Sequence, residues 1–164
     1  MPIPPFNESQ LRPGDTMLYF TRDVFDYVIA VKTWTKIGHV EIYTGGEMSV
    51  ASRNGVGVNA YAVRWDGLCC VRRPKIVPDL EFANSWFNNY ARGQKYDWLG
   101  LLCFMLAVRQ GSRDRQFCSE FWTRWCRKAG IIPLNPDWDA DRVPPAFCLV
   151  SPAFDTVWQD GDLF

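Results

Sequence analysis

The stretch GHVEIYTGGEMSVASRNGVGVNAYA, residues 38–62, carries the strongest structural signal in this chain. Apolar and polar residues alternate through it in three runs, as they do in half-buried strands. Gly45-Gly46 ends the first run and Asn54-Gly55 ends the second, and both pairs are typical of two-residue hairpin turns. The stretch therefore predicts an antiparallel meander of three strands, over 38–44, 47–53 and 56–62.

Segments on both sides of this meander extend the prediction to a single α+β domain over residues 1–164. Thr16–Phe20 and Leu68–Arg72 have the character of strands, and several later segments have the apolar spacing of helices. The predicted helices cover 23–34, 78–92, 96–109 and 118–128, with Gly130 ending the last of these, and a further short helix opens at Ser151-Pro152.

The composition is that of a folded domain with no electrostatic preference for a polyanion. Hydrophobic residues make up 48% and aromatic residues 15% of the 164 positions, which is enough for a substantial core. The 18 basic residues balance 18 acidic ones, so neither nucleic acid nor an anionic membrane is an expected partner. The longest apolar run, Trp98 to Val108, is about half the ~20 residues of a spanning helix, so no transmembrane segment is expected.

The 6 cysteines follow the pattern of a reducing compartment rather than that of a disulfide framework. No Cys-x-x-Cys pair occurs, and a single histidine leaves no ordinary zinc-binding set, so we expect neither a metal nor another cofactor. The N-terminal residues lack the basic and apolar regions of a secretory signal, which predicts a cytoplasmic location where the protein is made. Delivery by cell lysis or within a virion is the alternative.

Two residues far apart in the sequence form the candidate site. His39, the only histidine, heads the first strand of the meander, and Cys118 opens the helix over 118–128. The dipole and the first N–H groups of a helix stabilise a thiolate, and they can later stabilise an oxyanion. An imidazole on a strand and a thiol at a helix start are therefore the two halves of a cysteine hydrolase.

Hairpin geometry predicts a third member of the site. With a two-residue turn at Gly45-Gly46, Ser52 lies opposite His39, close enough to hold one ring nitrogen and fix the tautomer. Glu41 lies on the same face of the histidine's own strand and is the competing group, ranked second. A register slip of one residue would bring in a neighbour of Ser52 instead, either Ala51 or Arg53.

The same residues also have ordinary structural interpretations. A histidine at the head of a strand, or a cysteine at a helix start, more often packs than reacts, and Glu120 can simply complement the helix dipole. The polar segment over 110–116 predicts a solvated loop or a contact with a substrate carboxylate. The arginines concerned are Arg109, Arg113 and Arg115. It is the combination of a histidine hairpin with a cysteine helix that favours chemistry.

Four motifs, taken together, resemble a known family. They are Leu11-x-Pro13-Gly14-Asp15, Gly38-His39-Val40-x-Ile42-Tyr43, Tyr96-Asp97-Trp98-x-Gly100-Leu101-Leu102 and Phe117-Cys118-Ser119-Glu120-Phe121-Trp122. In this order they resemble the circularly permuted NlpC-like papain-fold hydrolases. The YiiX-like branch is the most similar, and the lecithin–retinol acyltransferase-like proteins are related to it. The resemblance runs over most of the chain, from Leu11 to Phe154.

The resemblance implies a small antiparallel sheet packed on the helix that carries the cysteine, with a cleft between them. It implies that Cys118 is the nucleophile and His39 its base. In the permuted members the histidine precedes the cysteine, as it does here by 118 − 39 = 79 residues. Members usually carry a polar third residue on the strand after the histidine strand, and that spacing falls on Ala51 or Ser52.

The expected function is therefore that of a cysteine hydrolase with catalytic residues Cys118, His39 and Ser52. It would cleave an amide bond, such as one in a cell-wall peptide, through a thioacyl-enzyme and without a cofactor. An acyl hydrolase or acyltransferase of lipid esters or amides is the first alternative. A non-catalytic binding or structural protein on the same fold is the second. The expected partner is a peptide or acyl substrate.

Overall fold

A six-stranded sheet lies at the centre of the computed structural model, which describes residues 6–21, 34–100 and 114–163. All of its neighbouring strands are antiparallel, and their order across the sheet is β4-β3-β2-β1-β5-β6. The strands are β1 (Thr16–Phe20), β2 (Ile37–Gly45), β3 (Met48–Arg53), β4 (Gly57–Ala62), β5 (Leu68–Pro74) and β6 (Phe154–Gln159). The predicted strands are confirmed within a residue or two at each end, and β6 is an addition to them.

The α-helices of the described ranges follow the fifth strand and precede the sixth. Helix α1 (Leu80–Trp86) continues into a π-helical turn (Phe87–Ala91), and α2 (Cys118–Lys128) coincides with the predicted cysteine helix. Helix α3 covers Pro145–Val150, and short 3₁₀ turns cover Glu8–Gln10 and Ala140–Arg142. The expectation of an α+β fold is confirmed.

Two predicted helices fall mainly outside the described part of the chain. These are the helix over 23–34, of which only Trp34 is described, and the helix over 96–109, which is described up to Gly100. Cys103, Arg109 and Arg113 also lie outside it. In the described ranges, no helix has the length and apolarity needed to cross a bilayer.

The predicted helix opening at Ser151-Pro152 is wrong. The helix in this region is α3, which ends at Val150, and Phe154 begins β6. Pro145 occupies the first helical position, where its missing N–H costs nothing, so the helix starts earlier than predicted. Pro152 disfavours helical geometry at Ser151, and the chain then pairs along β5.

The hairpin between β2 and β3 differs from the prediction by one residue. Ile42 pairs with Val50 and Tyr43 with Ser49, and a bulge near Thr44 moves the turn to Gly46-Glu47. Both turn residues have positive φ, at 59° and 61°. The numbers of two paired residues therefore add up to 92, whereas the predicted hairpin required 91. This shift of one residue turns every β3 residue to the opposite face of the sheet relative to β2.

Helix α2 packs on one face of this sheet and fixes the position of its own first turn. Val40, Ile42 and Val50 from the sheet join a buried apolar cluster with Trp122 and Trp125 from the helix. The Trp122 indole N–H donates to Thr16 Oγ1 over 2.9 Å, which satisfies a buried donor and sets the helix against β1. The opposite face carries Met17 and Tyr19 in a second, smaller apolar cluster.

Gly57 brings the segment after α1 against the edge of β4. Its φ is +91°, and a Cβ at this position would collide with the backbone carbonyl of Gln94. That carbonyl accepts a hydrogen bond from the Val58 N–H over 2.8 Å. Gly55 has a similar φ of +77° but no heavy atom within 4 Å of an added Cβ. A comparison of substitutions at Gly55 and Gly57 therefore separates the effect of backbone strain from the effect of close packing.

We predict that Gly57→Ala destabilises the fold more than Gly55→Ala. Both variants force a side chain into the left-handed region, which costs about 1–2 kcal/mol. Only Gly57→Ala also pushes the 93–95 segment from β4, adding about 1–3 kcal/mol. Urea unfolding of both variants measures the difference, and equal losses would contradict the packing argument.

Candidate active site

The first turn of α2 presents Cys118 at the position next to the N-cap. Phe117 is the N-cap residue, and the Glu120 side chain accepts a hydrogen bond from its backbone N–H. This is the second half of a capping box, which holds the start of the helix in place. Ser119 adds a hydrogen bond from its hydroxyl to the Val143 carbonyl over 2.5 Å. The cysteine therefore sits on a turn that is secured on both sides, and it is only 2% exposed.

His39 comes to the same place from the head of β2. Its backbone pairs with that of Tyr19 in β1, and a bulge at Gly38 separates this pair from the one between Ile37 and Phe20. The His39 side chain, which is 12% exposed, forms a side-chain hydrogen bond with Cys118. The structure thus brings together the two residues that the sequence placed 79 positions apart.

Glu41 holds the other side of the imidazole. Its Oε1 lies 3.1 Å from His39 Nε2, which leaves Nδ1 as the ring nitrogen that the carboxylate does not engage. Arg53 donates to both carboxylate oxygens, over 2.8 Å from Nε and 3.0 Å from Nη2, and Ser49 Oγ donates to Oε2 over 2.6 Å. The Glu41 side chain has no exposed surface, so these four contacts replace its hydration.

The charged forms of His39 and Glu41 stabilise each other. Burial alone would lower the pKa of His39, but the hydrogen bonds with Cys118 and Glu41 outweigh it and raise the pKa to about 9. Burial would raise the pKa of Glu41, but His39 and Arg53 overcome it and lower the pKa to about 2. At neutral pH the site therefore holds an imidazolium between the Glu41 carboxylate and the Cys118 sulfur.

Ser52 does not take the predicted position. The register of the β2–β3 hairpin, continued to the end of β3, places Arg53 opposite His39 and turns Ser52 to the other face of the sheet. There the Ser52 hydroxyl donates to the backbone carbonyl of Gln116 over 2.5 Å. The predicted pairing of Ser52 with His39 is wrong because the turn contains one bulged residue that the Gly45-Gly46 signal did not reveal.

Sequence reasoning missed Ser49 and gave Arg53 only as the outcome of a register slip. Both face Glu41, and their spacing of four residues along β3 places them on one side of that strand. A buried glutamate in a strand requires hydrogen-bond donors on the neighbouring strand. That requirement was the signal in the sequence that could have identified Ser49 and Arg53. Glu41, ranked second from the sequence, is the residue that contacts the histidine.

The other cysteines of the described chain have a different environment. Cys69, Cys70, Cys126 and Cys148 are buried and free. Burial raises the pKa of the Cys70 thiol to about 12, and it raises the pKa of the other three well above the ordinary value. Arg115, the described arginine of the predicted loop, is exposed, and its backbone forms an isolated bridge with Lys95. In the described ranges, no three histidine, cysteine or acidic side chains are grouped so as to hold a metal ion.

The fold has a known counterpart. No model of a known family matches the chain, and no curated protein sequence does either. The crystal structure of the metalloprotein YiiX from Escherichia coli O157:H7, described as a DUF1105 protein, is similar with a TM-score of 0.68. The similarity covers 92% of this chain and 98% of that one at 16% identity. This likeness shows that the chain shares the fold of a YiiX-like protein.

We predict that Glu41→Gln lowers the pKa of His39. Because the chain has one histidine, a single imidazole signal in an NMR titration reports it directly. Glu47→Gln, an exposed change in the neighbouring turn, is the matched control and should leave the signal unchanged. An unaltered pKa in Glu41→Gln would mean that the carboxylate does not stabilise the imidazolium.

The same pair predicts how stability depends on pH. The raised pKa of His39 stabilises the fold fully below pH 6.5, and this contribution is lost as the pH rises towards about 9. The lowered pKa of Glu41 stabilises it above pH 4.5, and this contribution is lost as the pH falls towards about 2. Both contributions are complete between pH 4.5 and 6.5, so urea unfolding of Glu41→Gln across pH should lose this maximum.

Proposed function

We propose that this protein is a cysteine hydrolase that cleaves amide bonds through a thioacyl-enzyme. The observation that carries the proposal is the chain of contacts from Cys118 through His39 to Glu41, at the start of a helix. A thiol, an imidazole and a carboxylate in this order are the nucleophile, the base and the orienting group of thiol catalysis. The shared fold with a YiiX-like protein supports it, as does the sequence resemblance to permuted papain-fold hydrolases.

In the proposed mechanism His39 holds the proton of the Cys118 thiol, so the resting pair is a thiolate and an imidazolium. The thiolate attacks the substrate carbonyl carbon, and the backbone N–H of Cys118 at the helix start stabilises the oxyanion. As the C–N bond breaks, His39 gives its proton to the departing amine, which leaves a thioester on Cys118. Water then attacks the thioester and passes one proton to His39, which releases the carboxylic acid and restores the thiolate–imidazolium pair.

Glu41 is proposed as the positioning residue in place of Ser52. A carboxylate that accepts from Nε2 keeps the imidazole in the tautomer with Nδ1 towards the sulfur, and it stabilises the imidazolium. Arg53 helps to keep that carboxylate ionised, and the hydrogen bonds from Arg53 and Ser49 fix its direction. The strong orienting group that the family usually carries on the following strand is thus supplied from the histidine's own strand.

A metal has no part in this proposal. The structural neighbour is described as a metalloprotein, but the single histidine here is already engaged by Cys118 and Glu41. The Glu41 oxygens are engaged by Arg53 and Ser49, so this set offers a cation little to coordinate. The proposed chemistry is therefore carried by the chain's own side chains.

We predict that iodoacetamide at one equivalent labels Cys118 in preference to the other cysteines. Burial raises the pKa of the other described thiols, which disfavours their reactive thiolate forms. His39→Ala should slow this alkylation near neutral pH, by about 10²-fold, because the proton acceptor is lost. Peptide mapping with kinetic mass spectrometry measures both. Labelling centred on Cys70, or an unchanged rate in His39→Ala, would overturn the assignment of the pair.

We predict that Glu41→Gln lowers the rate of amide hydrolysis more than Ser52→Ala does. Loss of a hydrogen bond to a charged group costs about 1.5–3 kcal/mol, or roughly ten- to a hundredfold in rate. Ser52 contacts a backbone carbonyl rather than the imidazole, so its loss should have the smaller effect. A panel of peptide anilides followed by intact mass, to detect the thioacyl-enzyme, supplies the assay. If only Ser52→Ala abolished turnover, the role proposed for Glu41 would fall.

The non-enzymatic alternative makes the opposite set of expectations. A binding protein on this fold would show ligand affinity without a thioacyl adduct, and Cys118→Ala would leave that affinity intact. The described site favours the enzyme, because an ion-paired histidine and a buried charged carboxylate reduce stability unless their partners are all retained.

A further inference from the structure

A groove of about 670 Å³ runs beside the cysteine helix, between α2 and α1 with its π-helical extension. One wall is aromatic, the other is cationic, and amide side chains lie between the two. Its inner end is formed by Gln116, two residues before Cys118. The mechanism proposed above uses none of the residues that line it.

The aromatic wall consists of Phe82, Trp86 and Tyr90, which recur every four residues along one side of the helix. Phe82 is 56% exposed and Tyr90 is 72% exposed, an unusual degree for aromatic rings in a folded chain. Trp86 stacks on Phe121 of α2 with ring centroids 6.1 Å apart, which fixes the distance between the two walls. The wall is therefore aromatic and largely exposed, and its central ring, Trp86, is held by Phe121.

The cationic wall consists of Arg124 and Lys128, one helical turn apart on α2. Arg124 Nη2 donates to the buried Glu120 over 2.6 Å, which holds the guanidinium in place and leaves other N–H groups of its fork for a ligand. The exposed Lys128 ammonium lies 5.9 Å from the centroid of the Phe82 ring, across the groove. Among the described residues that line the groove, none is acidic.

The inner end of the groove holds a polar atom without a partner. Gln116 is fully buried, and its Nε2 donates to Gln94 Oε1 over 2.5 Å. Gln116 Oε1, however, has no hydrogen-bond partner among the residues that the structure describes. A buried carbonyl oxygen without a donor costs stability, and a ligand N–H at this point would satisfy it. This is the second observation, independent of the charges, that indicates a ligand.

The spacing of these groups defines the ligand. From Cys118 to Lys128 the helix advances ten residues, or about 15 Å. An extended peptide covers this length with four or five residues, at about 3.3 Å each. Its N–H groups match the free acceptor of Gln116, its side chains match the aromatic wall, and a carboxylate matches the two cations.

We propose that this groove is a substrate subsite for an extended peptide segment that carries a carboxylate four or five residues from the cleaved bond. The ligand site follows from the groove itself, whereas its role as a subsite rests on the proposed amide hydrolysis. Lys128 and Arg124 bind the carboxylate, Gln116 accepts a backbone N–H, and Phe82 and Trp86 pack against the chain. The groove thereby selects acidic peptides as the substrate class.

The test is a binding measurement on full-length Cys118→Ser protein, which cannot form a thioester. The probe is N-acetylated penta-alanine with a free C-terminal carboxylate, compared with the same peptide as its C-terminal amide. We expect the carboxylate form to bind about fivefold more tightly, the effect of an exposed ion pair. In NMR titrations it should shift the Trp86 indole and Gln116 side-chain signals.

Charge variants assign the preference to the groove. Lys128→Gln should lower the carboxylate preference, because only Arg124 then remains to bind the carboxylate, whereas Lys75→Gln, an exposed change of equal charge just after β5 and outside the groove, should keep it. Equal affinity for both peptides, a preference that Lys128→Gln leaves unchanged, or shifts confined to other residues would overturn the proposal. An uncharged N-acetylglucosamine tetramer that binds these aromatics regardless of Lys128 would assign the groove to a glycan and would overturn it too.

The outcome is separable from that of the proposed function. Peptide binding without any labelling of Cys118 in the wild-type chain would retain the ligand site and reject the hydrolase. Labelling of Cys118 without peptide binding would retain the hydrolase and reject the subsite. If the peptide binds and Cys118 is also labelled, Lys128→Gln should raise KM for an acidic peptide anilide about fivefold and leave kcat unchanged.

Discussion

The buried charge of Glu41 is the constraint to which the site conforms. An ionised carboxylate without exposed surface is stable only when hydrogen bonds replace its water, and two strands supply them from one face of the sheet. Arg53 must lie opposite His39 for this to occur, which fixes the register of the hairpin. A shift by one residue would bury Glu41 without its arginine. The bulge near Thr44 is therefore tied to the electrostatics of the site as well as to the geometry of the turn.

The cysteine helix lies on the other face of β2, the strand that carries Glu41. Its body packs on the face that carries Val40 and Ile42, while its first turn reaches the head of β2, where the thiol contacts His39. The apolar packing places the helix, and the polar first turn, secured by Glu120 and Ser119, places the sulfur. Burial raises the pKa of Glu120 to about 7 and Arg124 opposes that effect, so the first turn carries a carboxyl group that titrates near neutral pH, two residues after Cys118.

The same helix contributes to two different surfaces of the molecule. Its N-terminal end presents Cys118 to the histidine, and its C-terminal half presents Arg124 and Lys128 to the groove beside α1. Gln116 connects them, because its backbone carbonyl is held by Ser52 while its side chain ends the groove. The hydroxyl predicted to hold the histidine therefore anchors the segment that leads into Cys118. The proposed hydrolysis of acidic peptides would use both surfaces of this one helix.

The sequence by itself determined the first five strands, the cysteine helix and the candidate pair, Cys118 and His39. Alternation specified the strands, apolar spacing specified the helix from Cys118 to Lys128, and a single histidine left one candidate for the base. These features are local, so neighbouring residues suffice to determine them. The sequence did not determine which residue orients His39, because a one-residue bulge reverses the face of β3, and local propensity differs little between the two registers. Tertiary structure decided it, since only one register pairs the buried Glu41 with Arg53 and also packs Val50 beneath the cysteine helix. Long-range burial of charge and apolar surface therefore selected between two hairpins that the sequence favours almost equally.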